Sequence, residues 1–190
     1  MTRAAADVGI RPARAEDAAA IARIQVESWQ ATYSGILPPD VLLRLDSRQH
    51  EARWWRHVLG RFRRNHYVYV AESGDGDVVG FASAGPSRQE GLSYDGEIYT
   101  LYLRDEFHGR GVGRMLFDAA RAGVREARGG SMIVWCLSGN PSRFFYERMG
   151  GIIVARRPGR VGVSPVEEIG YGWGVPNSST GDAPSVRGTA

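Results

Sequence analysis

Apolar positions along this chain switch between a period near 3.6 and a period of 2, and the switches mark out its elements. Gly9 to Ala13 reads as an edge strand, and Ala15-Glu16-Asp17 starts a helix rich in Ala and Ile that runs to about Tyr33. Pro38-Pro39 breaks it. A second helix is expected from about Pro39 to Leu45, and a third from Ser47 to Leu59 with Trp55, Val58 and Leu59 turned inward. Tyr67 to Glu72 and Val78 to Ala84 read as strands joined by the hairpin turn Gly74-Asp75-Gly76-Asp77, and Glu97 to Leu103 makes the next strand. From Val112 to Ala127 the apolar face Val112, Leu116, Ala119, Gly123 and Ala127 predicts a helix, ended by Gly129-Gly130. Ser131 to Leu137 is apolar on both alternating faces, as a central buried strand should be. A short helix over Pro141 to Met149 and strands near Ile152 to Arg157 and Val166 to Gly172 complete an α/β (α+β) pattern with a mixed sheet.

At 190 residues and 43% hydrophobic content, the chain has room for one substantial core and little for two. The expected organisation is a flexible lead over 1–8, one domain over 9–175, and a polar, disordered tail over 176–190. No apolar run approaches the roughly 20 residues of a membrane span, and the opening MTRAAADVGI lacks a hydrophobic signal core, so a cytoplasmic protein with no membrane partner is expected. Cys136 is the single cysteine, which excludes an internal disulfide, and no Cys/His cluster has zinc-ligand spacing, so no metal is expected.

Charge adds one point. The 24 positive side chains are all Arg and the formal net charge is +3, which suits an anionic ligand without requiring nucleic acid. The densest basic patch, Arg53 to Arg64, is interleaved with Trp54, Trp55 and Phe62 and could be read as a nucleic-acid-binding module. Helical spacing with solvated arginines explains it as well, and no nucleic-acid partner is expected.

The stretch Gly96 to Arg114, GEIYTLYLRDEFHGRGVGR, joins a strand to a glycine-rich turn that opens a helix. Such a turn lets backbone N–H groups converge on phosphate oxygens, and the helix adds its positive N-terminal dipole. No Lys-Ser or Lys-Thr follows, so it is not a Walker loop; Arg114 stands where a dinucleotide fingerprint needs its third glycine. Further on, Asn140 stands just before a helix that carries Tyr146.

Taken together and in this order, the strand Glu97 to Leu103, the loop His108-Gly109-Arg110-Gly111-Val112-Gly113, and Asn140-Pro141 with Phe145-Tyr146-Glu147-Arg148 resemble the GNAT superfamily of acetyl-CoA-dependent N-acetyltransferases over about residues 9 to 174. The resemblance implies a single domain with about seven strands, splayed in the middle and flanked by about four to five helices. It implies acetyl-CoA as acetyl donor, with pyrophosphate on the loop Gly109 to Arg114 and pantetheine paired with backbone groups of Leu101, Tyr102 and Leu103, a β-augmentation by ligand. GNAT loops usually begin with Gln or Arg where this chain has His108. Asn140 would contact the cofactor arm, with Ser142 and Arg143 in support.

The implied reaction is direct transfer to a primary amine in a ternary complex. An ammonium has no lone pair with which to attack a thioester, so a general base must act or the amine must arrive neutral. Glu97 is the leading base candidate, eleven residues before His108 as in some GNAT members; beside Ile98 and Tyr99 it would have a raised pKa, and the alternative is a solvent-facing strand-end carboxylate. Glu167 or Glu168 could take its place. A backbone N–H near Leu103 would stabilise the oxyanion, and Tyr146 would protonate the leaving sulfur. Cys136 as an acetyl-accepting nucleophile is disfavoured by its apolar strand.

Acceptor residues are sought in Trp29, Gln30 and Tyr33 on the early helix and Tyr94, Glu168, Tyr171 and Trp173 on the late strands, a set that would equally suit a core or a homodimer interface. The acceptor is expected to be a small-molecule or peptide amine. The competing reading is a non-catalytic CoA-binding sensor.

Overall fold

The computed structural model describes residues 8–34, 65–89, 91–161 and 164–176, together with 39, 42, 48, 50, 51 and 54. The lead over 1–7, the tail over 177–190 and most of the second and third expected helices, with Trp55, Val58 and Leu59, lie outside the described residues; Pro39, Leu42, Arg48, His50, Glu51 and Trp54 are helical. Seven strands form one sheet: β1 (Gly9–Pro12), β2 (Tyr67–Glu72), β3 (Val78–Pro86), β4 (Gly96–Leu103), β5 (Met132–Leu137), β6 (Ile152–Val161) and β7 (Ser164–Trp173), in the spatial order β1-β2-β3-β4-β5-β7-β6. Three α-helices are described in full: α1 (Ala18–Tyr33), α2 (Val112–Arg128) and α3 (Arg143–Arg148). The mixed seven-stranded sheet with flanking helices agrees with the expected class, and the strands β6 and β7 run longer than the sequence suggested.

The sheet is covered on both faces because α1 and α2 each bury one stripe. Ile21, Ala22 and Ile24 of α1 pack with Val70, Phe81 and Trp54 on one side. Leu116, Phe117, Ala120 and Val124 of α2 pack with Ile98, Met132, Val134 and Tyr171 on the other. The α2 stripe is centred on Phe117, Ala120 and Val124 rather than on Ala119 and Ala127, since Ala127 is exposed. Tyr171 and Trp173 are buried in this core, the Trp173 ring tilted against Phe117 at 5.1 Å.

All neighbouring strands are antiparallel except β4 and β5, which are parallel and joined through α2. Their pairing lasts only from Gly96–Ile98 against Met132–Val134. Beyond Ile98 the strands part. The cause lies on β4's other edge, where Ala84 pairs with Ile98 but Ser83 with Thr100, leaving Tyr99 as a bulge. A bulge bends its strand and ends pairing, so Tyr99 turns β4 away from β5 and opens the sheet.

Candidate active site

The opening is bounded by one bare edge of β4. Arg104 donates to the Val79 carbonyl at 2.9 Å on the β3 side, so by strand alternation the backbone groups of Leu103 and Leu101 face the gap. The Leu103 carbonyl there accepts from or faces the His108 ring, whose Nε2 lies 3.1 Å away. His108 thus touches this edge through its side chain, an arrangement that spacing alone does not reveal.

The loop after β4 is shaped by two glycines. Gly109 and Gly111 have φ of 72° and 82°, the left-handed region that other residues enter only with strain, and an added Cβ on either would meet nothing within 4 Å. Gly113 has no such conformational requirement; a Cβ there would rest at an ordinary 3.6 Å from Phe145. The first helical bond of α2 is Met115 N–H to the Gly111 carbonyl at 3.1 Å, so the N–H groups of Val112, Gly113 and Arg114 precede the ladder. Gly109, Gly111, Gly113 and Arg114 line a groove of about 430 Å³ shared with Ser142, Phe145 and Tyr146 of the α3 region. Arg110 lies 5.6 Å over the Phe107 ring, and Arg114 pairs loosely with Asp118 at 3.8 Å on the helix surface.

The groove narrows into a cavity of about 70 Å³ inside the splay, and Tyr146 lines both. Burial raises the Tyr146 phenol well above its ordinary value, and among the described residues none hydrogen-bonds its hydroxyl. Its ring is fixed edge-on against Phe145 at 5.4 Å. The cavity's other walls include Tyr99, Tyr102, Trp135 and Cys136. Burial pushes the Cys136 thiol up to about 12, the opposite of what a nucleophilic thiolate needs.

Three residues singled out in the sequence are engaged with protein. Asn140 donates from Nδ2 to the Tyr33 hydroxyl at 3.1 Å and accepts the Ser142 N–H on Oδ1 at 2.8 Å, so it ties α1 to the start of α3. Trp29 donates to the Tyr102 hydroxyl at 2.7 Å and packs edge-on against Tyr33 at 5.1 Å. Tyr33, buried, is pushed up to about 12 by desolvation, with Cys136 and Glu168 adding to it and the Asn140 hydrogen bond opposing it. Arg143 lies over the Phe144 ring at 4.4 Å and is not part of the groove wall, whereas Arg148, which sequence reasoning did not select, is.

The carboxylates differ most from expectation. Glu97 is 2% exposed, and its two oxygens are taken by the Arg88 backbone N–H at 3.0 Å and the Arg88 Nη2 at 2.5 Å. It is not a solvent-facing strand-end carboxylate, which corrects that reading, and it stands outside the wall of the cavity of about 70 Å³. Arg88 in turn lies 3.9 Å over the Tyr99 ring. Glu168 is held by Arg157 Nε at 2.6 Å, and Arg157 lies 3.8 Å over the Trp135 ring while also donating to Gln89. Glu168 is thus one partner in an ion pair, not a free acid. Among the described residues there is no cluster of three or more metal-ligating side chains, and no helix is long and apolar enough to cross a membrane.

Known proteins share this architecture. A Bacillus subtilis protein named as the uncharacterized N-acetyltransferase YuaI is 36% identical over 166 residues, which is 87% of this chain and 92% of the relative. Two solved structures share the fold at lower identity: PaiA N-acetyltransferase from Thermoplasma acidophilum in complex with coenzyme A (19% identity, TM-score 0.67, 85% of this chain and 98% of that one) and YncA from Salmonella typhimurium with acetyl-CoA (24%, 0.64, 88% and 93%). The family model for the Acetyltransferase (GNAT) family matches residues 22–151, from within α1 through the bare edge of β4 and the glycine loop to α3, and the chain belongs to that family of acetyltransferases.

Proposed function

We propose that the protein is an N-acetyltransferase that moves the acetyl group of acetyl-CoA directly to a primary amine of a small molecule or peptide. The observation that carries this reading is the continuity of the groove with the splay cavity through Tyr146. The groove suits acetyl-CoA chemically: unladdered N–H groups of Val112, Gly113 and Arg114 for an anionic pyrophosphate, a bare β4 edge for an extended amide arm, and apolar depth for a thioester. Acetyl-CoA supplies the activated acyl group. Every other task falls to the chain.

Gly109 and Gly111 shape the phosphate cradle, and Leu101 and Leu103 offer backbone partners to the arm. The Leu103 N–H, on the gap side of β4, faces the developing negative charge on the acyl oxygen. Tyr146 keeps its proton because its site is desolvated, and it gives that proton to the departing sulfur. Glu97 acts by holding Arg88, and the amine arrives neutral or loses its proton to water, since Glu97 and Glu168 are both bonded to arginines. Cys136 carries no acetyl group.

The test is acetyl-CoA-dependent thiol release over a panel of amines, with wild type and Tyr146→Phe compared. Turnover that falls at least about a hundredfold in the variant, with acetyl-CoA affinity retained, supports the assignment. Acetyl-CoA binding without turnover on any amine would favour a sensor, and no binding would overturn the donor site.

A further inference from the structure

Resting on the transferase reading, the geometry points to the acceptor's chemical class: we propose that Arg88 and Arg157 form a receptor for a carboxylate on the acceptor, so the substrate is an amine that also carries an acid group, of amino-acid type. Both guanidinium groups cover aromatic rings that wall the splay cavity, Arg88 over Tyr99 and Arg157 over Trp135. They are also linked to each other, because Gln89, the neighbour of Arg88, accepts from Arg157 Nη1. The loop after β3 and the edge of β6 therefore close on one spot above the cavity.

Hydrogen-bond accounting at that spot is lopsided. Arg88 spends Nη2 on Glu97, and Arg157 spends Nε on Glu168 and Nη1 on Gln89. Among the described residues, Nε and Nη1 of Arg88 and Nη2 of Arg157 remain unspent, on side chains that are 57% and 38% exposed. The Trp135 Nε1 beneath Arg157 is buried without a partner. Among the described residues donors are in surplus here, while Glu97 and Glu168 are each committed to an arginine. A ligand that completes this set brings acceptors, and a carboxylate, which only accepts, can bridge N–H groups of the two guanidiniums where an ammonium brings donors alone. A second ammonium on the substrate would meet two guanidinium groups and, among the described residues, only carboxylates already paired.

Stacking keeps the receptor in place. Each guanidinium is held against a ring by cation–π contact and fixed in its plane by a carboxylate, so little side-chain freedom is lost when an anion binds.

The experiment uses the full chain with acetyl-CoA and matched acceptors that share one body: a free amino acid, its amide and its decarboxylated amine. The expected kcat/KM for the acid exceeds the other two at least tenfold, through KM. Arg157→Gln should erase that preference, Arg157→Lys should restore part of it, and acetyl-CoA affinity in both variants reports that the fold is intact. Equal turnover of all three acceptors, or a loss in Arg157→Gln that is the same for acid and amide, overturns the proposal. Should none turn over, calorimetry of the same three compounds on the CoA-bound protein decides the matter separately: binding of the acid alone keeps the receptor and fells the transferase reading, and binding of none, or of all equally, fells the receptor.

Discussion

The groove side of this molecule is built from backbone, and the side proposed to take the acceptor from side chains. On the groove side the working parts are N–H groups at the start of α2, the bare edge of β4 and two glycines in the left-handed region. On the other side they are guanidinium groups laid over rings and tied down by carboxylates. A backbone site tolerates many sequences as long as its conformation survives, whereas a side-chain site changes chemistry with one residue. The difference teaches why a donor site can stay constant while an acceptor site diverges, and it sorts the effects of mutation.

Tyr146 stands where the two sides meet, and its loss should have the largest effect. Tyr146→Phe should lower kcat about a hundredfold or more with KM for acetyl-CoA nearly unchanged, as steady-state kinetics would read. Its raised pKa fixes a sign as well. The phenol stays protonated past its ordinary value of 10.0, so kcat/KM should climb with pH as the amine loses its proton, with no falling limb from Tyr146 below that point. A descending limb near pH 8 that vanishes in Tyr146→Phe would contradict this.

Next in size is the cradle. Gly111→Val forces a β-branched residue to a φ of 82° in open space, where strain and not collision is the penalty. About 1–2 kcal/mol of strain corresponds to a roughly 5–30-fold weaker acetyl-CoA affinity, measurable by calorimetry, with the amine's own KM little affected. Gly113→Ala should change neither by more than about twofold, and an equal loss at Gly113 would show that the loop needs its glycines for room instead of for φ.

The same contrast explains what could be read from the chain. β2, β3, β4, α2 and β5 follow from periodicity, and the glycine loop is legible because backbone conformation is written in the residues that permit it. The Tyr99 bulge is not: nothing in Glu97-Ile98-Tyr99-Thr100 distinguishes it until Ser83 and Ala84 pair across from it. Nor can local sequence say that Glu97 is clamped by Arg88 or Glu168 by Arg157, because those pairs are set by a loop's return and by cross-strand register between β6 and β7. Asn140 was found for its place before α3, yet its link to Tyr33, 107 residues away, depends on tertiary packing.

Glu97→Gln sharpens the comparison at a smaller scale. If Glu97 positions Arg88, as its hydrogen bonds indicate, the variant should keep kcat within about threefold while the acceptor KM rises several-fold. A hundredfold fall in kcat that is relieved at high pH would instead make Glu97 the base.

The smallest effect on turnover belongs to a site remote from both sides. Asp17, at the entry to α1, accepts a fork from Arg11 at 2.8 and 3.0 Å and the Arg14 N–H at 2.6 Å, while Arg11 also reaches Glu72 at the end of β2. Burial by itself would raise the Asp17 pKa, but these hydrogen bonds and the nearby charges more than offset it and hold the group below its ordinary 3.8. A depressed carboxyl stabilises the fold above its unfolded-state pKa, and that contribution is lost as pH falls through the folded-state value. Asp17→Asn should therefore leave kcat and both KM values unchanged, cost about 1–2 kcal/mol at pH 7, and lower Tm by about 2–8 °C. As pH falls below 3.8 and through the lowered folded-state value, the thermal curves of variant and wild type should converge, because both then carry a neutral group beside Arg11. A gap that persists undiminished into acid would mean that shape, not charge, holds this corner together.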